Sequence, residues 1–222
     1  MTAIDKGTID YKTELLRKSI HLCSLSISIV YYFVTKELAL QILIPLTILA
    51  VVLDFSRYLI PGFAKIFYSF FGFMLREHEK IQEKKNLSGA TYLLISVTIV
   101  VIIFPKLFVI PAVAVLIIGD IAAALLGRKF GKHKFLAKSL EGTLAFFITG
   151  SIVILLTPKI EGSFWEYIIG FIAVAVGAIA ENISYGWADD NLTIPLSVCL
   201  TMALLYALLL PELSLVLPNV PV

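Results

Sequence analysis

Asp120 stands where a carboxylate is expensive. Thirteen apolar or glycine residues precede it, Leu107 to Gly119, and six apolar residues follow, Ile121 to Leu126. At about 1.5 Å per helical residue it lies roughly 10 Å short of Gly127. A carboxylate so placed requires a cation, a proton or a metal ion. A basic loop comes next, carrying Arg128, Lys129, Lys132, Lys134 and Lys138. Gly127 and Gly131, four apart, let the backbone approach a ligand closely. Five basic residues, with backbone N–H groups, suit a polyphosphate. Ser139, Glu141 and Gly142 then open another apolar run. Glu141 reads either as a cap at a helix N-terminus or as a magnesium ligand facing Asp120.

Two further groups carry chemistry. Arg17, His21, Ser24 and Ser28 are spaced by four, three and four, and Lys18 adjoins them. Such spacing places them on one helical face. In an apolar environment that face turns inward, as the wall of a polar cavity or as hydrogen-bonding glue between helices. Glu181, Asp189 and Asp190 form the second group, in a segment with no Lys or Arg. A divalent metal or the facing basic loops would partner them, and Asp190 or Asn191 also suits a helix cap.

The elements that position these residues are membrane helices. The 222-residue chain is 59% hydrophobic and 15% charged, with a mean hydropathy of +0.95. Soluble domains carry roughly 25% charged residues. Seven apolar runs suit crossings of about twenty residues each, near 19–35, 38–53, 90–105, 107–126, 141–157, 164–181 and 193–211. Residues 60–76, interrupted by Lys65 and Tyr68, read as an amphipathic helix on the inner surface. Fifteen of the eighteen Lys and Arg residues fall at the N-terminus and in the loops 54–89 and 127–140. That asymmetry puts the N-terminus in the cytoplasm and the C-terminus outside. The polar first eighteen residues give no cleavable signal pattern. Cys23 and Cys199 lie in apolar runs and read as small core hydrophobes, with no disulfide framework. Ala173, Gly177 and Ala180 make a narrow face for close helix packing. The fold class is all-α and polytopic, a single domain over 1–222.

These motifs, in this order, resemble the CTP-dependent lipid kinases, the group of dolichol kinase, phytol kinase and CTP-dependent diacylglycerol kinase. The resemblance runs from Arg17-Lys18-x-x-His21 through Asp54-x-x-Arg57, Arg76-Glu77-His78-Glu79 and Ser88-Gly89-Ala90-Thr91-Tyr92. It centres on Gly119-Asp120, Gly127-Arg128-x-Phe130-Gly131-Lys132 and Lys138-Ser139-x-Glu141-Gly142, and ends on Glu181 and Asp189-Asp190-Asn191. The central block is also similar to CTP:phosphatidate cytidylyltransferases. Their Gly-His-Gly-Gly…Asp-Arg signature has no counterpart here, where Asp189-Asp190-Asn191 stands instead.

The resemblance implies that CTP donates its γ-phosphate to the hydroxyl of a membrane lipid alcohol of polyprenol, phytol or diacylglycerol type. Magnesium is the implied cofactor and no nucleic acid is involved. It implies Asp120, with Glu141 and Asp190, as metal ligands, and Asp120 alternatively as acceptor of the substrate proton. Gly127, Arg128, Gly131, Lys132, Lys138 and Ser139 would hold the nucleotide, and Arg17, Lys18 and His21 would face the same cavity. The chemistry would then sit on the cytoplasmic side.

Overall fold

The fold was analysed in a computed structural model that describes residues 11–72, 75, 86–184 and 188–222. Among these residues the chain is almost wholly helical: α1 (Tyr11–Cys23), α2 (Leu25–Phe33), α3 (Lys36–Leu59), α4 (Pro61–Phe71), α5 (Gly89–Ile103), α6 (Lys106–Phe130), α7 (Leu140–Leu156), α8 (Phe164–Ile183) and α9 (Asp190–Leu209). A two-stranded antiparallel hairpin, β1 (Lys134–Phe135) and β2 (Lys138–Ser139), sits between α6 and α7.

Side-chain caps set several helix starts by satisfying N–H groups that have no helical partner. Thr35 accepts from Leu38 N at 3.2 Å and Ser88 from Thr91 N at 3.3 Å. Ser139 accepts from Gly142 N at 3.2 Å. At α8 the cap comes from inside the helix, Glu166 Oε2 accepting from Ser163 N at 3.0 Å. Asp189 caps α9, the role the sequence had suggested for Asp190 or Asn191.

Four helices are long and apolar enough to cross a membrane among the described residues: α3, α6, α8 and α9. Helices α5 and α7 are apolar but have 15 and 17 residues. At about 1.5 Å per residue they fall short of the ~30 Å hydrocarbon core. The first apolar run is broken. Ser24 N bonds to His21 O and Ile27 N to Ser24 O, tight three-residue steps that separate α1 from α2. Helix α4 has 11 residues and Pro61 in its first turn. It lies within the stretch read as an amphipathic surface helix, whose far end, Arg76, lies outside the described residues.

Helix α6 is the axis of the bundle, buried almost continuously from Leu107 to Ile117. Helices α2, α7 and α9 pack around it, and α8 pairs with α7 and α9. Small residues allow the close approach. A Cβ at Gly119 would stand 2.7 Å from the Phe146 ring, one at Gly170 2.5 Å from Ile154, and one at Gly177 2.9 Å from Val198. The narrow face read at Ala173 and Gly177 is therefore the α8–α9 seam. The outward faces are apolar, with Ile103, Leu156 and Leu208 exposed. In water such surface would be a liability, whereas in lipid it costs nothing. Cys23 belongs to that outer surface, not to the core, while Cys199 is buried. At the end of the bundle away from the hairpin, Lys106 Nζ donates to the Val34 and Pro221 carbonyls.

Candidate active site

The costly residues of distant segments meet at the hairpin end of the bundle. Asp120 is 3% exposed, and its Oδ2 accepts from Lys18 Nζ of α1. His21 Nε2 lies 3.6 Å from the same oxygen. The buried acid of α6 thus finds a cation on the first helix, far from it in sequence. Of the polar stripe on α1–α2, Arg17 and His21 face this site, while Ser28 donates to Ile110 O at 2.8 Å and holds α2 to α6.

A second ion pair stands beside the first. Lys138 Nζ of β2 donates to Glu181 Oε1 of α8. Asn182 fixes the hairpin's approach, its Oδ1 accepting from Ala137 N at 2.9 Å and Lys138 N at 3.2 Å. Its Nδ2 donates to Thr143 Oγ1 at 2.7 Å. Burial alone would push the Lys138 ammonium down. Glu181, then Asp190 and Asp120, outweigh it and hold its pKa above the ordinary lysine value. Asp120, Glu181, Asp190 and Lys138 therefore share one local field, though they come from α6, α8, α9 and β2.

Arg17 and Arg128 converge through a residue that motif spacing did not single out. Glu14, 5% exposed, accepts from Arg17 Nη2 at 2.7 Å and lies 3.5 Å from Arg128 Nη1. Its position three residues before Arg17 was a visible pairing signal. Lys132 is exposed on the loop. Gly131 ends α6 and packs tightly. A Cβ there would meet Gly127 O at 2.3 Å and Ser139 Oγ at 2.8 Å. In this structure Gly131 admits Ser139 of the protein itself. Glu141 keeps different company from Asp120: its Oε1 pairs with His133 Nδ1 at 2.7 Å and accepts from His133 N at 3.3 Å.

Asn191 joins the site from the start of α9. Its Nδ2 donates to Asp189 Oδ1 at 2.8 Å and to Asp190 Oδ1 at 3.2 Å. Asp54 and Arg57, far from this block in sequence, also arrive nearby. Asp54 Oδ2 accepts from Ser88 N at 2.7 Å, and Arg57 Nη2 donates to Asn86 O at 2.7 Å. The pair locks the end of α3 to the start of α5. The motif at Arg76–Glu79 lies outside the described residues.

A cavity of about 260 Å³ opens between α1, α3, α4, α5 and α9, with His21, the neighbour of Asp120, on its wall. Arg17, His21 and Asn191 are at its polar part, and Leu53, Phe67 and Phe71 line its apolar part. Among the described residues no group of three or more His, Cys, Asp or Glu side chains is arranged as a metal cage. Magnesium bound with a nucleotide needs only one or two carboxylates beside the phosphates. The buried acids Asp120 and Asp190 fit that requirement.

Comparison with known proteins gives this geometry a family. An uncharacterised protein of Rickettsia prowazekii is 31% identical over 196 residues, 87% of this chain and 95% of that protein. CTP-dependent diacylglycerol kinase 1 of Schizosaccharomyces pombe is 31% identical over 165 residues, 66% of this chain and 72% of that enzyme. No family model and no solved structure matches the chain. A membrane-type helical bundle with its charged residues gathered at one end is thus similar, over most of the enzyme's length, to a lipid kinase, and the chain belongs to the CTP-dependent diacylglycerol kinase family.

Proposed function

We propose that the chain is an integral-membrane kinase, a single domain over 1–222, that moves the γ-phosphate of CTP to the hydroxyl of a lipid alcohol. The observation that carries this reading is the buried Lys18–Asp120–His21 cluster facing Lys138, Glu181 and Asp190. Phosphoryl transfer demands positioning and charge neutralisation more than covalent catalysis. Cations from α1 and β2, with Arg128 at the end of α6, supply that charge, and Lys132 on the exposed loop meets the nucleotide from solvent.

The acceptor's hydroxyl oxygen bonds to the γ-phosphorus while the bond from that phosphorus to the β,γ-bridging oxygen breaks. CDP leaves with the bonding electrons, and the hydroxyl proton passes to a carboxylate of the cluster. Asp120 and Asp190 would hold magnesium, which supplies charge neutralisation on the phosphates. This reading counts seven crossings, with α1–α2 as one and α5 and α7 as short spans, and the distribution of Lys and Arg supports a cytoplasmic N-terminus and site.

Incubation of purified protein with magnesium, CTP and a panel of lipid alcohols tests the chemistry through its by-products. CDP together with a phosphorylated lipid is expected. Release of pyrophosphate would instead mark a cytidylyltransferase. Intact CTP alongside solute flux in liposomes would mark a transporter.

A further inference from the structure

The cavity between α1, α3, α4, α5 and α9 has two buried polar atoms on its lining residues that lack a hydrogen-bond partner: His21 Nε2 and Asn191 Oδ1. Native proteins rarely leave such atoms unmatched unless a water or ligand meets them. Asn191 is held in its orientation, because its Nδ2 donates to two carboxylates. Its oxygen is therefore the atom left over, and it can only accept. His21 Nε2 donates or accepts according to tautomer. An alcohol carries one donor and two acceptor sites, the complement of this pair. His21 Nε2 is also 3.6 Å from Asp120 Oδ2, so a hydroxyl bound there stands beside the buried carboxylate.

The rest of the cavity is apolar. Leu53 of α3 and Phe71 of α4 line it and remain 38% and 51% exposed, so the apolar wall at these two residues is not sealed by protein. At about 260 Å³ the space is smaller than the roughly 300–1,000 Å³ that encloses a whole drug-sized molecule. It takes a head and the first part of a chain, and the remainder must leave sideways. Ala50, Gly89 and Ala90 keep the α3 and α5 walls open.

We infer that this cavity is the acceptor site: His21 and Asn191 bind the lipid hydroxyl, and the hydrocarbon chain leaves past Leu53 and Phe71 beneath α4. This rests on the kinase reading above and adds to it the location of the second substrate. The recognised class is a hydroxyl at the tip of a flexible hydrocarbon chain.

The test is photolabelling of the full chain in detergent. The probe is a long-chain primary alcohol with a diazirine near its hydroxyl end, and labelled peptides are mapped by mass spectrometry. Label is expected on peptides bearing Leu53, Phe67 or Leu93. Excess unlabelled alcohol, Ala50→Phe and Leu93→Trp should each abolish it, the two substitutions filling the cavity from α3 and from α5. Label spread over the outer helix faces, or cavity label that survives both substitutions, overturns the assignment. In turnover, Asn191→Leu should raise KM for the alcohol about tenfold, the loss of roughly one good hydrogen bond, and Ala50→Phe, in the apolar wall on α3, should raise KM for the alcohol and leave KM for CTP unchanged. An unchanged KM for the alcohol also overturns it. Failure of the wild type to consume CTP would refute the kinase reading, and the labelling pattern would still decide the cavity.

Discussion

Lys138 and Glu181 illustrate why single residues at this site cannot be removed without consequence. Glu181 is 3% exposed, and its carboxylate is compensated by an ammonium from a different element. Lys138→Met leaves that charge buried without its partner, which costs about 3–5 kcal/mol. Adding Glu181→Leu removes the stranded charge, so the double variant should regain most of the thermal stability and none of the phosphoryl transfer. Thermal unfolding in detergent and a transfer assay on the same preparations check this. A double variant that regains activity would make the pair a scaffold only. Asp120, Lys18 and His21 were legible in the sequence because ionisable groups in apolar runs are costly and advertise themselves. The link from Glu14 to Arg128 and the place of Asn191 at the cavity were not, because both depend on partners brought by other helices. Asn191 looks like an ordinary cap residue until α1 and the cavity are placed against it.

The elements show where local rules succeeded and where packing overrode them. Apolar runs located most of the helices, and the structure adds side-chain caps at Ser88 and Ser139 that set two of their starts. The hairpin was invisible. Its strands have two residues each, and the turn residue Leu136 takes φ +51°, a region usually signalled by Asn or Gly. Gly131 makes the same point about packing. Its spacing from Gly127 suggested a ligand cradle, yet the near neighbour is Ser139. Gly131→Ala should therefore cost about 1–3 kcal/mol by over-packing and displace the strand that carries Lys138. The expected readout is lower transfer together with a lower unfolding temperature. Loss of transfer at unchanged stability would favour direct nucleotide contact.

A loop at the opposite end offers a pH-dependent signature. Burial pushes Lys159, between α7 and α8, down to about 8, against a weaker upward pull from Glu166. Between about 8 and the ordinary value near 10.4 the folded chain binds fewer protons than the unfolded chain, so stability rises with pH across that window. Unfolding temperatures of the wild type minus those of Lys159→Met should climb from pH 8 to pH 10. A flat difference would contradict the burial of that amine.

At the scale of the whole molecule, one end of the bundle gathers charge and the flanks gather apolar surface. Fifteen of eighteen basic residues sit at the N-terminus or in two loops, and Arg17, Lys18, Arg128 and Lys138 among them stand at the site. That asymmetry was fully legible, because orientation depends on counts and not on contacts. Span number was less so: Ser24 breaks the first run, and α3 continues to Leu59 to bury Asp54 and Arg57. With Cys23 and Cys199 replaced, a cysteine at position 134 should be shielded from an impermeant maleimide applied to intact cells, and one at 161 should react. The reverse pattern would invert the bundle. The central claim concerns the cluster on Asp120, and it is tested most directly by following γ-labelled CTP with purified protein, magnesium and lipid alcohol. The expected result is label in an organic-extractable product with the wild type and none with Asp120→Asn, a variant that leaves the Lys18 ammonium without its charge partner and is therefore compared at a temperature at which circular dichroism shows it folded. Equal transfer by a folded Asp120→Asn would contradict the assignment of the site.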